Sequence, residues 1–403
     1  MINSAVHSRQ WKAINFLIVI SSFVLMFSSY FYSTNIFRLL QGISIFIIFF
    51  FSFVYILQNF RIIFNTKKIY KQFLFSVVLT IYLILVYLST YFSRFNHVIT
   101  NSSSNCLAYI SMILGLVFSF SIFFEKDRTF FLKNIFFLIG ISCIINDFLF
   151  FPHIVESQIT QDYMFSGKFA VAYMHLEWIT FYIINIKLNL LSKRYYSIKL
   201  MGLILYTFII CLLVNCSTGI VGLVLLIAIM IFIPRHIVQS PWIWLISLVC
   251  SSSFVLFYQK LLEIPWVKYI IVVLLHRSET LTGRTYIYEQ LPIILNGHYL
   301  WGYGFGSDYE TWHIFGYGIA NSQNGIANMI VEQGLLATVA FMCLAVLILY
   351  FSRLNKNVIP IVSMIYVLTF LGSVEITFTL NFIALFILVF FMSNSDLKEQ
   401  KVC

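Results

Sequence analysis

The sequence predicts an all-α, polytopic membrane protein with about 12 transmembrane helices and one long outer loop that carries short helices. Of its 403 residues, 61% are hydrophobic and only 10% are charged, whereas an average soluble domain is about half apolar and about a quarter charged. Apolar runs recur from residue 13 almost to the C-terminus, with no polar block long enough to form a soluble domain. Residues 1–403 are therefore predicted to form a single integral membrane domain.

Each predicted span is an apolar run close to the ~20 residues that an α-helix needs to cross a bilayer. The runs lie at 13–32, 37–58, 72–93, 106–124, 130–152, 169–187, 200–215, 218–234, 242–259, 327–351, 358–374 and 376–393. They are continuous rather than alternating, which is typical of helices and excludes an outer-membrane barrel. The first run follows Arg9 and Lys12 without a small-residue cleavage site, so we expect a signal anchor.

The positive charges predict the orientation. Although the net charge is +10, the Lys and Arg residues stand in short clusters between apolar runs, which indicates topology signals rather than a nucleic-acid surface. With both termini in the cytoplasm, the inner segments hold 18 of these residues and the outer segments 6, with Arg38 at the edge of a span. The positive-inside rule thus predicts a bacterial cytoplasmic (inner) membrane protein with both termini cytoplasmic.

The cysteines and the apparent lack of repeats bear on the class of protein. Six of the seven cysteines lie in or beside apolar runs, with no CxxC pair and no histidine at metal-binding spacing, so we expect them to pack as small apolar residues. No metal and no cofactor is predicted. The two halves of the chain show no clear duplication, which counts mildly against a secondary transporter, although weak repeats escape inspection.

The outer loop, about 260–326, is the only long polar stretch, and a loop of this length is usually functional. Its first part, LLEIPWVKYIIVVLLH, is apolar enough to lie in the membrane interface. Thr285 is suited to cap a short helix that would start just after Arg284. That helix would hold an arginine at its beginning.

Two further segments of the loop indicate a binding site. In GYGFG, Gly302, Gly304 and Gly306 allow the backbone to turn tightly and to approach another group closely. A plain surface turn is the alternative, and the segment lacks the context of a nucleotide-binding motif. The polar cluster at 321–325 leads into a span that contains Glu332, and an acidic side chain inside a span faces protein or water more readily than lipid.

Taken in order, these motifs resemble the core region of the O-antigen polymerase and O-antigen ligase families. The matching segments are TGR at 282–284 with Tyr288 four residues on, GYGFG at 302–306, NSQNGIANMIVEQGLLA at 321–337 and NCSTGIVGLV at 215–224. Two departures stand out: Gln323 replaces the frequent histidine before asparagine, and Thr218 replaces a frequent arginine. Because ligases are thought to depend on that histidine, the resemblance favours a polymerase.

The resemblance implies transfer of a glycan from a polyprenyl-pyrophosphate carrier to a hydroxyl acceptor on the outer face of the membrane. A guanidinium group can bind the leaving pyrophosphate through two hydrogen bonds, and Arg284 is our first assignment for this role and Arg277 the second. With them, Glu279 and Glu332 make up the predicted catalytic set. Several loop residues suit the general base, and the sequence does not choose among them: Glu279, Glu289, Asp308, Glu310 and His313.

Sugar binding calls for amides, aromatic rings and a flexible turn. The predicted substrate-binding residues are Gln323, Asn324, Gly304, Tyr303 and His313, with Tyr309 and Trp312 also suited to stacking. Each has a structural alternative. Arg284 suits an interface anchor, His313 and His298 suit loop or aromatic-belt positions, and Gln323 and Asn324 suit caps of the following span.

Three functions remain open. The first is a polysaccharide polymerase (O-antigen, capsule or exopolysaccharide) acting on an undecaprenyl-pyrophosphate-linked oligosaccharide, with membrane lipid and a chain-length regulator as further partners. The second is an O-antigen ligase. The third is a secondary transporter or flippase, for which the main support is the set of polar groups Asp147, His175 and Glu177 inside predicted spans. Residues 175 and 177 point to different faces of one helix, and ordinary interhelical hydrogen bonds are the alternative explanation. No nucleic-acid partner is expected.

Overall fold

The computed structural model describes residues 2–63, 69–93, 103–151, 163–262, 264–269, 273, 284–316 and 321–395. This described part of the chain contains no β-strand, only an isolated bridge between Phe31 and Phe165. Short 3₁₀ turns occupy Ser28–Tyr30 and Lys356–Val358. The α-helices are α1 (Ile2–Met26), α2 (Asn35–Ile63), α3 (Ile69–Ser93), α4 (Ser103–Lys126), α5 (Arg128–Phe150), α6 (Lys168–Lys187), α7 (Tyr196–Leu213), α8 (Ser217–Phe232), α9 (Arg235–Val238), α10 (Pro241–Leu262), α11 (Pro265–Tyr269), α12 (Arg284–Ile294), α13 (Asp308–Phe315), α14 (Gly325–Ser352), α15 (Ile359–Leu371) and α16 (Leu380–Ser395).

The protein is a helical, multi-pass membrane protein, as the sequence predicts. Within the described residues, seven helices are long and apolar enough to cross a membrane, namely α2 to α7 and α14. Five shorter apolar helices accompany them, in α1, α8, α10, α15 and α16. Each of the twelve predicted apolar runs overlaps one of these helices.

Helix α6 lies at the centre of the bundle. Of its most apolar stretch, 89% of the residues are buried, against 17% for the peripheral helices α2 and α7. The mean hydropathy of α6 is 1.3, the lowest of the seven long helices. A helix surrounded by protein can carry polar side chains that would be too costly against lipid, and α6 carries His175 and Glu177 in fully buried positions.

Helix α14 is broken at Gly334, where φ is +74° and ψ is 170°. A break inside the membrane frees backbone groups that need new hydrogen-bond partners. The segment 299–303 supplies them: the N–H of Leu335 donates to the carbonyl of Tyr299 at 2.8 Å, and the N–H of Tyr303 donates to the carbonyl of Val331 at 2.7 Å. Segment 299–303 of the long loop is therefore joined to the broken helix by backbone hydrogen bonds.

Two glycines make this approach possible. Gly302 has φ of +66°, and a Cβ atom built on it would lie 2.6 Å from the carbonyl oxygen of Val331. A Cβ atom on Gly334 would overlap the carbonyl of Leu300. Both residues are buried. The prediction of a tight turn that approaches another group closely is confirmed, the group being the backbone of α14, and the alternative of a plain surface turn is wrong.

Candidate active site at the loop face

A cavity of about 880 Å³ opens where the long loop meets the ends of the helices, an end of the bundle that we call the loop face. Its walls come from the turn before α2, from the first three turns of α2, α4 and α14, from the segment at 305–309 that leads into α13, and from the segment at 376–380 that leads into α16. Such a volume falls in the range of small-molecule binding sites. The polar residues that line it are Ser28, Ser29, Ser33, Arg38, Gln41, Ser104, Asn105, Tyr109, Asp308, Tyr309, Asn321, Asn328, Glu332, Gln333 and Thr379.

Two carboxyl groups stand together in this cavity. Asp308 is the first residue of α13, and Glu332 lies two residues before the break in α14. The backbone N–H groups of Gly306 and Asp308 donate to the carboxyl group of Glu332, and the charge of Asp308 acts on it. The GYGFG turn thus places the two carboxyl groups next to each other. Its last residue, Gly306, lies two residues before Asp308, and the backbone N–H groups of both residues donate to Glu332.

Burial raises the pKa of Asp308 to about 7, against the opposing effect of hydrogen bonds that include the backbone N–H of Ser322. With its amide nitrogen turned toward Asp308, Asn328 donates to both carboxylate oxygens at 3.1 and 3.2 Å. A carboxyl group whose pKa lies near neutrality suits proton transfer at physiological pH. Asp308 is therefore the best-suited of the loop residues considered as general bases.

Arg38 provides the positive charge of the cavity. It lies in the first turn of α2 and shares one helix face with Gln41, Gly42 and Ile45, all of which line the cavity. Its Nε donates to the hydroxyl of Ser33 at 3.0 Å. Four helices begin at the cavity wall with no acidic residue in their first turns, so the positive ends of their dipoles add to the charge of the arginine. This half of the cavity is suited to an anion.

The wall between the two halves is polar and ordered by hydrogen bonds. The hydroxyl of Tyr82 donates to the amide oxygen of Gln333 at 3.1 Å and lies 2.9 Å from the hydroxyl of Tyr109. The ring of Tyr109 stacks on that of Phe305 at 4.2 Å between centroids. Tyr309 is 61% exposed at the rim. Amides, hydroxyls and an accessible ring are the groups that bind sugars.

Of the predicted catalytic residues, Glu332 lines the cavity. Arg284 is the first residue of α12, which agrees within one residue with the predicted start of that helix, but its side chain lies outside the described part. Arg277 and Glu279 lie outside the described residues altogether. Tyr288, in the same motif, donates to the carbonyl of Ser373 at 3.1 Å and so joins α12 to the segment between α15 and α16.

The predicted sugar-binding residues lie beside the cavity rather than on its wall. Asn324 caps α14, its side chain accepting from the N–H of Ala327 at 2.9 Å, so the capping alternative holds for this residue. Gln323 has φ of +45° and does not line the cavity. Tyr303 is buried, donates to the carbonyl of Ile294 at 2.6 Å and stacks on His298.

Gly304 and His313 complete the predicted set. Gly304 has φ of +96° inside the turn, where a side chain would strain the backbone. His313 is exposed and stacks on Tyr309 with 5.7 Å between ring centroids. Both residues thus shape or flank the rim, whereas Trp312 is fully buried beneath it.

Sequence reasoning missed Arg38, Gln41, Asn105 and Asn328, which line the cavity from the membrane helices. Arg38 was noted only as a charge at the edge of a span. The spacing of Arg38, Gln41 and Gly42 on one helix face was a signal in the sequence, since it interrupts an otherwise apolar helix on a single side.

The polar groups of the other spans form interhelical hydrogen bonds. The Nε2 of His175 lies 3.0 Å from a carboxylate oxygen of Asp147, and Tyr206 donates to the same oxygen at 2.5 Å. Glu177 contacts Tyr30 and Asn381 instead. The prediction that residues 175 and 177 point to different faces of the helix is confirmed, and both residues make the interhelical hydrogen bonds that were the alternative explanation for them.

Within the described ranges, no three His, Cys, Asp or Glu side chains are close enough together to hold a metal ion. Comparisons with models of protein families, with curated proteins and with solved structures give no match to this chain.

Proposed function

We propose that the protein is a polysaccharide polymerase, which transfers a glycan from a polyprenyl-pyrophosphate carrier to the next lipid-linked repeat unit. The observation that supports this best is one cavity that holds an arginine, two neighbouring carboxyl groups and a row of amides. These are the groups that such a transfer needs: a cation for the leaving pyrophosphate, a base for the acceptor hydroxyl, and hydrogen-bond partners for sugars.

In the proposed reaction the acceptor hydroxyl oxygen attacks the anomeric carbon of the donor glycan. The bond from that carbon to the pyrophosphate oxygen breaks, and its electron pair leaves with the pyrophosphate. Arg38 and the helix N-termini bind the developing negative charge. The hydroxyl proton passes to a carboxylate, for which Asp308 is the first assignment and Glu332 the second.

The proposed membrane topology has twelve spans, formed by the seven long helices and the five shorter ones. The excess of Lys and Arg on the opposite side, 18 against 6, indicates that the loop face is the outer face of the cytoplasmic membrane. Arg284, Arg277 and Glu279 remain proposed members of the site, since they belong to the loop segment that precedes α13.

A secondary transporter is the second candidate, because the break in α14 resembles the discontinuous helices of transporters. In those proteins, however, the freed backbone groups face a substrate or ion. Here segment 299–303 makes hydrogen bonds to the backbone groups that the break frees. In addition, Ser89 donates to the carbonyl of Glu332 at 3.1 Å. This arrangement favours a fixed support for Glu332 over a moving gate.

The test is deletion of the gene in a strain that makes a laddered polysaccharide, followed by electrophoresis of the glycans. For a polymerase we expect single repeat units on the final acceptor, restored to a ladder by the wild-type gene and not by Arg38→Gln. Polymer retained on the carrier lipid would indicate a ligase, and repeat units trapped inside the cell a flippase. An unchanged ladder would contradict all three functions.

A further inference from the structure

Glu177 lies in the middle of α6 and is fully buried. It closes a ring of three side chains. The hydroxyl of Tyr30 is 3.2 Å from Oε1 of Glu177 and 3.0 Å from Oδ1 of Asn381, and Nδ2 of Asn381 is 3.3 Å from Oε2 of Glu177. The ring therefore joins the 3₁₀ turn before α2, helix α6 and the first turn of α16.

The number of protons that the three contacts of this ring require determines whether Glu177 is charged. Each of the three contacts needs one proton. The Tyr30 hydroxyl brings one proton, and the Asn381 amide nitrogen brings one at the single contact it reaches. The third contact is left with two facing oxygen atoms unless Glu177 itself carries a proton.

The count does not depend on how the Asn381 amide is oriented. With its oxygen and nitrogen exchanged, the nitrogen donates to Tyr30, Tyr30 donates to Glu177, and the amide oxygen then faces Oε2 of Glu177. A proton on the carboxyl group is again required.

The described residues around Glu177 provide no compensating charge. In the described part of the chain no cationic side chain pairs with it, and His175 is turned to Asp147. The other titratable groups that act on the ring are Tyr173 and Cys143, and neither is a cation. An isolated buried carboxylate would be very costly inside a membrane protein.

We infer that Glu177 is held as a neutral carboxylic acid, and that with Tyr30 and Asn381 it forms a closed hydrogen-bonded ring that positions the floor of the cavity. Two of the three chain segments joined by the ring also reach the cavity wall: Ser29 precedes Tyr30, Thr379 lies two residues before Asn381, and their hydroxyl oxygens are 3.0 Å apart. Glu177 is thus a positioning residue. This positioning role rests on the proposed function, whereas the proton on Glu177 does not.

Infrared spectroscopy of the purified protein in lipid tests the proton directly, because a protonated carboxyl group has a C=O stretching band that a carboxylate lacks. The wild-type minus Glu177→Gln difference spectrum at neutral pH should contain one such band, which shifts in D₂O. Glu125→Gln is the matched control, since the exposed Glu125 also accepts from a tyrosine, Tyr55 at 3.1 Å. That difference spectrum should lack the band. Absence of the band from the Glu177 spectrum would overturn the inference.

The positioning role has its own measurement in the polysaccharide ladder. A glutamine has the same pattern as a protonated glutamate, an N–H toward Tyr30 and a carbonyl toward Asn381, so Glu177→Gln should keep the wild-type ladder. Glu177→Ala should lose it. Loss of the ladder in Glu177→Gln would refute the neutral ring, and a normal ladder in Glu177→Ala would refute the positioning role. If deletion of the wild-type gene leaves the ladder unchanged, the proposed function fails. The proton on Glu177 is then tested by the infrared measurement alone.

Discussion

At the scale of single residues, the cavity contains an arginine that the loop motifs did not indicate. Arg38 and Arg284 are both suited to a pyrophosphate, and substitution distinguishes them. We expect Arg38→Lys to reduce polymer formation by about 10²-fold, because the ammonium group keeps the charge but loses the planar pair of donors.

The measurement is the rate of chain extension from lipid-linked repeat units in proteoliposomes. Arg235→Lys is the control, because the side chain of Arg235 is exposed at the beginning of α9, and it should behave like wild type. A severe loss in Arg284→Lys with normal activity in Arg38→Lys would transfer the role back to the loop motif.

Asp308 gives the reaction a pH dependence. As a base it acts in its ionised form, and its pKa of about 7 means that this form increases as the pH rises through neutrality. The rate of chain extension should rise over that range, and Asp308→Asn should lower it about 10²–10⁴-fold.

Asn328→Leu provides an independent check of the same group. It removes the amide that donates to the carboxylate, so it should raise the pKa of Asp308 and move the pH profile to higher pH. A pH-dependent rise that persists in Asp308→Asn would assign the base to Glu332.

These residues also show how far the sequence alone can lead. Glu332 was predictable because an acid inside an apolar run is costly unless it faces protein or water. Asp308 was one of five acids and histidines in the loop, and the distinction depends on burial, which no local pattern encodes. Asn324 was ambiguous between sugar binding and capping until its contact with Ala327 was known.

At the scale of elements, the junction between the broken helix and the loop depends on glycine. Gly334→Ala and Gly302→Ala would each cost about 1–3 kcal/mol for a backbone conformation with positive φ, and in addition their new methyl groups would overlap backbone atoms. We expect both variants to unfold at clearly lower temperature than wild type in detergent.

The control is Gly297→Ala, whose φ is +80° but whose added methyl group has nothing within 4 Å. It isolates the conformational cost, so its effect on the unfolding temperature should be the smallest of the three. Equal shifts in all three variants would show that the close approach of loop and helix contributes nothing to stability.

The helices themselves were largely predictable, since continuous apolar runs of membrane length leave few other structures open. The break at Gly334 was not, because a single glycine in an apolar run reads as an ordinary packing residue. The conformation follows from segment 299–303, more than 30 residues earlier in the chain, whose carbonyl groups accept the hydrogen bonds that the helix gives up.

At the scale of the whole molecule, the proposed reaction requires the loop face to lie outside the cytoplasm. In a variant without native cysteines, a cysteine introduced at Tyr309, which is exposed at the rim, should react with a membrane-impermeant maleimide in intact cells. A cysteine at Lys193, between α6 and α7, should react only after the cells are permeabilised. The basis of this expectation is the surplus of Lys and Arg on the Lys193 side, 18 against 6, because cytoplasmic loops of membrane proteins carry an excess of these residues. The reverse labelling pattern would put the cavity on the cytoplasmic side, where the proposed outer-face acceptor is absent, and the polymerase proposal would fail with the orientation.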